Sequence, residues 1–252
     1  MLTITEAANE LKLSFLKENH PHLMAEYQAR GLTFEEALLE WINEEVQHRR
    51  NRSHQRRIKQ AKFSQKKYLV DFDDQVFNEP VRKELRSLKT LQFIQNKENA
   101  IFIGNPGTGK THFSIGLGIE ACLQGYNVLF INAPNLVIQM KEAVTQSQFY
   151  RFKQRLQRID LLIIDELGYL SFDASGAELI FNLLSNRIGE GSVIITTNLT
   201  FDRWQDCFKD PTLTGALVDR LVYKAHVVDM RGESYRMKQT SHWKNTLQEG
   251  EE

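Results

Sequence analysis

Apolar positions along this chain follow two different periods. From Asn99 onward, short blocks of consecutive apolar residues recur: Ala100-Ile101-Phe102-Ile103, Val128-Leu129-Phe130-Ile131, Leu161-Leu162-Ile163-Ile164, Val193-Ile194-Ile195 and Val227-Val228. Blocks this short and rich in β-branched residues predict strands buried on both faces. The stretches between them carry apolar residues at helical spacing, as in His112–Leu123, which Gly125 is placed to end. A further helix-like stretch runs from Val81 to Ile94 ahead of the first strand. Strands alternating with helices predict a parallel sheet covered by helices on both sides.

Before about residue 68 the strand-like blocks are missing and the pattern is helical throughout. Thr33-Phe34-Glu35-Glu36 reads as a capping box, with Thr33 as N-cap and Glu36 three residues on. Phe34, Leu38, Trp41, Ile42 and Val46 then mark one apolar face. An earlier helix carries Ala7, Ala8, Leu11 and Phe15, and Pro21 and Gly31 punctuate the segment. The expected organisation is a small all-helical N-terminal domain over 1–67 and an α/β domain over 68–252.

Composition changes this picture little. The formal net charge is zero, with 32 basic and 32 acidic residues. No apolar run approaches the length of about 18 residues that a membrane span needs. Met1–Glu6 lacks the pattern of a secretory signal. Cys122 and Cys207 lack metal-ligand spacing and read as small buried residues, which suits a reducing cytoplasm. The distribution of charge is more informative. Arg49, Arg50, Arg52, Arg56, Arg57, Lys59, Lys62, Lys66 and Lys67 form a run with no acid among them. Such a run repels itself unless an anion is near, and nucleic-acid phosphate is the favoured partner over a merely solvated face.

The sharpest chemistry follows the first strand. Gly104-Asn105-Pro106-Gly107-Thr108-Gly109-Lys110-Thr111 is a complete phosphate loop, G-x-x-x-x-G-K-[ST], lying between strand and helix as its use requires. Backbone N–H groups wrap a polyphosphate, Lys110 reaches the outer phosphates, and Thr111 offers a hydroxyl to Mg²⁺. With His112 at the start of the helix, these residues form the expected ATP-binding set. Leu161–Ile164 ends in Asp165-Glu166 at the edge where ligands of open α/β sheets bind. Asp165 is placed to share the metal with Thr111, and Glu166 to polarise an attacking water. Thr196-Thr197-Asn198 ends the next strand, where the Asn198 amide can reach water or terminal phosphate. Arg220 and Arg236 are candidates to stabilise charge on a transferring phosphoryl group.

These motifs, with Ile163–Tyr169, Asp219-Arg220-Leu221 and Gly232–Arg236, resemble the AAA+ ATPases and, more closely, the IstB-like transposition helpers of insertion sequences. The likeness extends to the N-terminal layout, through Gly31–Glu36, the Arg-rich segment, Ala61-Lys62-Phe63 and Asp71-Phe72-Asp73. DnaC-type helicase loaders are more distant relatives sharing the ATPase core. The resemblance implies a five-stranded AAA+ sheet and a Walker B pair at Asp165 and Glu166. It implies sensor 1 at Asn198, an arginine finger at Arg220 acting on the neighbouring subunit, and a sensor 2 position at Arg236. It implies DNA contact by Pro134–Arg158, where Lys141, Arg151, Lys153, Arg155 and Arg158 are interleaved with Phe149, Tyr150 and Phe152.

The function expected is a DNA-stimulated ATPase that forms a ring or helical filament on duplex DNA, held mainly by backbone contacts, and assists a transposase. The alternatives are a replicative helicase loader and a non-catalytic nucleotide-gated scaffold.

Overall fold

The computed structural model describes residues 2–235 and 237. The chain divides into two compact units, Met1–Arg56 and Arg57–Glu252.

The first unit is helical. It comprises α1 (Ile4–Glu10), α2 (Ser14–Ala29) and the first part of α3 (Phe34–Ala61). α1 ends early because Lys12 takes a left-handed conformation, φ 57°, so Leu11 and Phe15 fall on either side of an elbow rather than on one helix. Pro21 lies inside α2 instead of ending it. At Thr33 the capping box forms: the Glu36 amide donates to Thr33 Oγ1 at 3.3 Å, and the Thr33 amide donates to Glu36 Oε2 at 2.8 Å. The apolar face that follows is left open. Phe34, Ile42 and Val46 are exposed, and Leu38 and Trp41 half-buried. The side of α3 that meets the α1–α2 elbow is polar. There the buried Glu45 accepts from the Phe15 and Leu16 amides at 2.9 and 3.2 Å. This caps the start of α2, whose own N-cap residue, Leu13, has no side-chain acceptor.

The second unit is a five-stranded, all-parallel sheet in the order β2-β3-β4-β1-β5. Its strands are β1 (Asn99–Ile103), β2 (Val128–Asn132), β3 (Leu161–Leu167), β4 (Ser192–Thr197) and β5 (Ala225–Asp229). Because side chains alternate across a strand, each apolar block supplies two cores. Ile101, Ile103, Leu162, Ile164, Val193 and Ile195 join one, with α7 (Ala133–Thr145), α8 (Phe149–Gln157), α9 (Ala174–Arg187), α10 (Trp204–Phe208) and α11 (Pro211–Val222). Ala100, Phe102, Leu161, Ile163 and Ile194 join the other, with α4 (Glu79–Lys89), α5 (Gln92–Gln95) and α6 (Lys110–Leu123). Each fully buried Leu, Ile or Phe contributes about 1.5–3 kcal/mol.

The helix-like stretch before β1 is thus two helices, broken at Leu91, φ 60°. α6 ends as the sequence predicts: the Tyr126 amide donates to Ala121 O at 3.0 Å and the Gly125 amide to Cys122 O at 3.2 Å, closing the helix around Gly125. Cys122 and Cys207 are buried free thiols, and burial pushes them up to about 12 and about 11.

Candidate nucleotide site

At the carboxyl end of β1 the chain turns through Gly104–Gly109 into α6. Gly107 and Gly109 take φ values of +84° and +94°, a region costly for other residues. Gly104 needs its missing side chain for another reason: a Cβ there would lie 2.6 Å from Met230 O. The first amides of α6 have no carbonyl partner within the helix and carry its positive dipole end, so the loop is a ready anion cradle. Lys110 is buried and folds back on the loop, donating from Nζ to Gly104 O at 2.6 Å and Asn105 O at 2.8 Å. Thr108 Oγ1 donates to Asn105 O at 3.0 Å, while Asn105 and Pro106 are exposed.

Two segments grip this loop. On one side, the Met230 amide donates to Ile103 O at 2.7 Å and the Tyr235 amide to Gly107 O at 3.0 Å, bringing Ser234 against Gly107. On the other, Phe72 packs against Gly109, and His112 donates from Nε2 to Tyr68 O at 2.9 Å. Neither clamp was legible in the motif itself.

Beside the cradle, β3 brings Asp165 to the same edge, almost fully buried. Its Oδ1 accepts from Thr111 Oγ1 at 2.9 Å and from Thr196 Oγ1 at 2.6 Å. Thr196 Oγ1 in turn accepts from the Glu166 amide at 2.9 Å. A β-bulge between Ile164 and Leu167 puts Glu166 at φ 62° with its side chain exposed. Thr196 therefore fixes both acids at once, a role that sequence reasoning missed. Asn198 follows β4 directly, with its side chain exposed.

Thr111 and Asp165 meet beside the phosphate loop. Their hydroxyl and carboxylate are hard oxygen donors on one spot beside an anion cradle, so these residues fit Mg²⁺ and a polyphosphate. Arg220 does not join them within this chain. It is exposed on α11 and stacks over the Phe181 ring at 5.1 Å. Arg236 lies outside the described residues.

The candidate DNA segment forms α7 and α8. Phe149 and Phe152 pack on the core, Tyr150 is exposed, and Arg155 lies 5.2 Å over Phe152. Arg151, Lys153, Arg155 and Arg158 face solvent. Lys141 is held by Asp173, at 2.7 and 2.6 Å, and this contact lowers the Asp173 carboxyl below its ordinary value.

Sheet order, phosphate loop and paired acids define a P-loop protein of the AAA+ fold. In a solved structure, the DnaC helicase loader has the same fold, with a TM-score of 0.54 and 18% identity over 66% of this chain and 97% of the loader. Residues 6–243 match the family of IstB-like ATP binding proteins, and the chain belongs to that family. It is 33% identical to the ATP-binding protein of insertion sequence IS5376 from Geobacillus stearothermophilus, over 94% of both chains. It is 34% identical to that of insertion sequence IS21 from Pseudomonas aeruginosa, over 92% of this chain and 87% of the relative. Among the described residues no helix is long and apolar enough to cross a membrane.

Proposed function

We propose that this protein is an ATP-hydrolysing transposition helper that assembles on duplex DNA in its ATP state and hands that DNA to a transposase. The observation that carries the reading is the convergence of Thr111, Asp165 and Thr196 beside the phosphate loop, with Glu166 anchored next to them. Family membership supports the transposase as partner, and favours it over a replicative helicase.

In this reading the loop amides from Gly104 to His112 hold the triphosphate, and Lys110 leaves its carbonyl partners to contact the outer phosphates. Thr111 and Asp165 would hold Mg²⁺, which when bound supplies positive charge beside the phosphates. Glu166 orients and polarises the attacking water. Asn198 contacts that water or the terminal phosphate, and Arg236 the phosphates. Arg220 reaches the nucleotide of a neighbouring copy, so that ATP joins protomers into a ring or helical filament. Hydrolysis removes the bridging charge and loosens the assembly.

Glu166→Gln tests this directly. Hydrolysis falls about 100-fold or more while ATP binding is retained and the DNA-bound assembly persists. An unchanged hydrolysis rate contradicts the role given to Glu166.

A further inference from the structure

Within the first unit, α1, α2 and α3 enclose an open groove with a volume of about 850 Å³. Five of its lining residues are cations: Lys12 from the α1–α2 elbow, Lys17 from the first turn of α2, and Arg49, Arg52 and Arg56 from α3. Glu18 is the single acid that lines it. The three arginines lie at positions i, i+3 and i+7, which share one helix face. Arg50, in the same basic run, does not line the groove.

The hydrogen bonds of these cations sharpen the picture. Arg52 Nη1 donates to Ser14 Oγ at 2.7 Å, Arg49 Nη2 to Lys12 O at 3.3 Å, and Lys17 Nζ to Asn9 Oδ1 at 3.0 Å. Each acceptor is neutral, and none of the five cations forms an ion pair among the described residues. Arg30, in the same unit, is by contrast paired with Glu40 at 2.7 Å. The bonds to Ser14 and Lys12 hold two guanidinium groups in place while leaving most of their donors free. Five positive charges gathered around one groove, against the single charge of Glu18, repel one another, and an anion relieves that cost.

We infer that this groove is a phosphate-backbone clamp for duplex DNA, with Lys12 and Lys17 as one wall and Arg49, Arg52 and Arg56 as the other. The inference rests on the DNA-binding part of the proposed function and gives it an address. From Arg49 to Arg56 the arginine row covers about 10 Å of helix, longer than one phosphate group and suited to successive phosphates of a strand. The groove offers cations rather than stacking platforms, so backbone charge is what it would read, not base sequence.

The experiment measures binding of the full-length protein to a random-sequence duplex across a salt series, with a slowly hydrolysed ATP analogue present. Lys12→Asn with Lys17→Gln removes two charges from one wall; asparagine tolerates the left-handed backbone at Lys12. Arg49→Gln with Arg56→Gln removes two from the opposite wall and serves if the first pair fails to fold. Each pair is expected to reduce the slope of log affinity against log salt by about 1.8, at about 0.9 per lost phosphate contact. Arg50→Gln is expected to leave it unchanged. If either folded pair keeps the wild-type slope, or Arg50→Gln lowers it as much per charge, the groove is not the clamp, although DNA binding stands. If the wild-type protein does not bind the duplex, the DNA-binding reading fails and the clamp with it.

Discussion

Each of the two units buries a charged side chain to tie off backbone, and the surroundings of the two are opposite. In the sheet unit, Arg187 donates to Leu156 O at 2.9 Å, Ile159 O at 2.6 Å and Ser192 O at 3.3 Å, enclosed by apolar packing. Burial pushes its guanidinium down to about 10, against the opposing pull of Asp160. In the helical unit, Glu45 caps α2, but among the described residues of that unit only Ala8, Leu16 and Tyr27 are buried apolar side chains. The sheet unit is ordered by its core and can spend surface on chemistry. The helical unit is too small to bury much, so polar ties set its shape while its apolar face stays open and the five cations of its groove form no ion pair among the described residues. Structure that rests on packing resists salt, whereas structure and binding that rest on charge do not.

Substitutions in each unit can break this contrast. The largest effect is expected from Arg187→Met, which strands three carbonyls and destabilises the sheet unit by about 3 kcal/mol, read from the urea midpoint. A change below about 1 kcal/mol would show that the carbonyls find other partners. Glu45→Ala removes one cap and costs about 1 kcal/mol, visible as faster hydrogen exchange at the Phe15 and Leu16 amides. Unaltered exchange there would mean that the cap is dispensable.

The smallest effect concerns His226 on the edge strand β5. Its Nδ1 lies 2.5 Å from Glu84 Oε1 and its Nε2 3.1 Å from Glu98 Oε2. Burial pulls the imidazolium down, but the two glutamates outweigh it and hold the ring above its ordinary value of 6.5. A folded value raised in this way stabilises the fold fully below the unfolded value, and the gain is lost as pH rises through the folded one. His226→Gln should therefore flatten the pH dependence of stability above pH 6.5. An unaltered profile would remove His226 from the account.

Much of the sheet unit was legible in the sequence because its signals are local. An apolar block followed by glycines and Lys110-Thr111 fixes strand, loop and helix within a dozen residues, and Asp165 ends a block of its own. Thr196 was not legible. Which of Thr196, Thr197 and Asn198 meets Asp165 depends on the pairing of β3 with β4 and on the bulge at Glu166. The clamp of Met230 and Ser234 on the phosphate loop is likewise a contact across more than a hundred residues of chain. In the helical unit, capping of α2 by Glu45 and the meeting of Lys12 and Lys17 with the α3 arginines depend on the left-handed elbow at Lys12. No periodicity announces that turn, and Pro21, which looked like a break, lies inside a helix.

In the proposed function, ATP held at the phosphate loop joins copies of this chain around DNA. This joining is tested most directly by imaging the protein on duplex DNA with a slowly hydrolysed ATP analogue, with ADP, and as Lys110→Ala. Ordered oligomers on DNA with the analogue alone, absent with ADP and absent in the variant, are the predicted result. Equal assembly in all three would contradict the account.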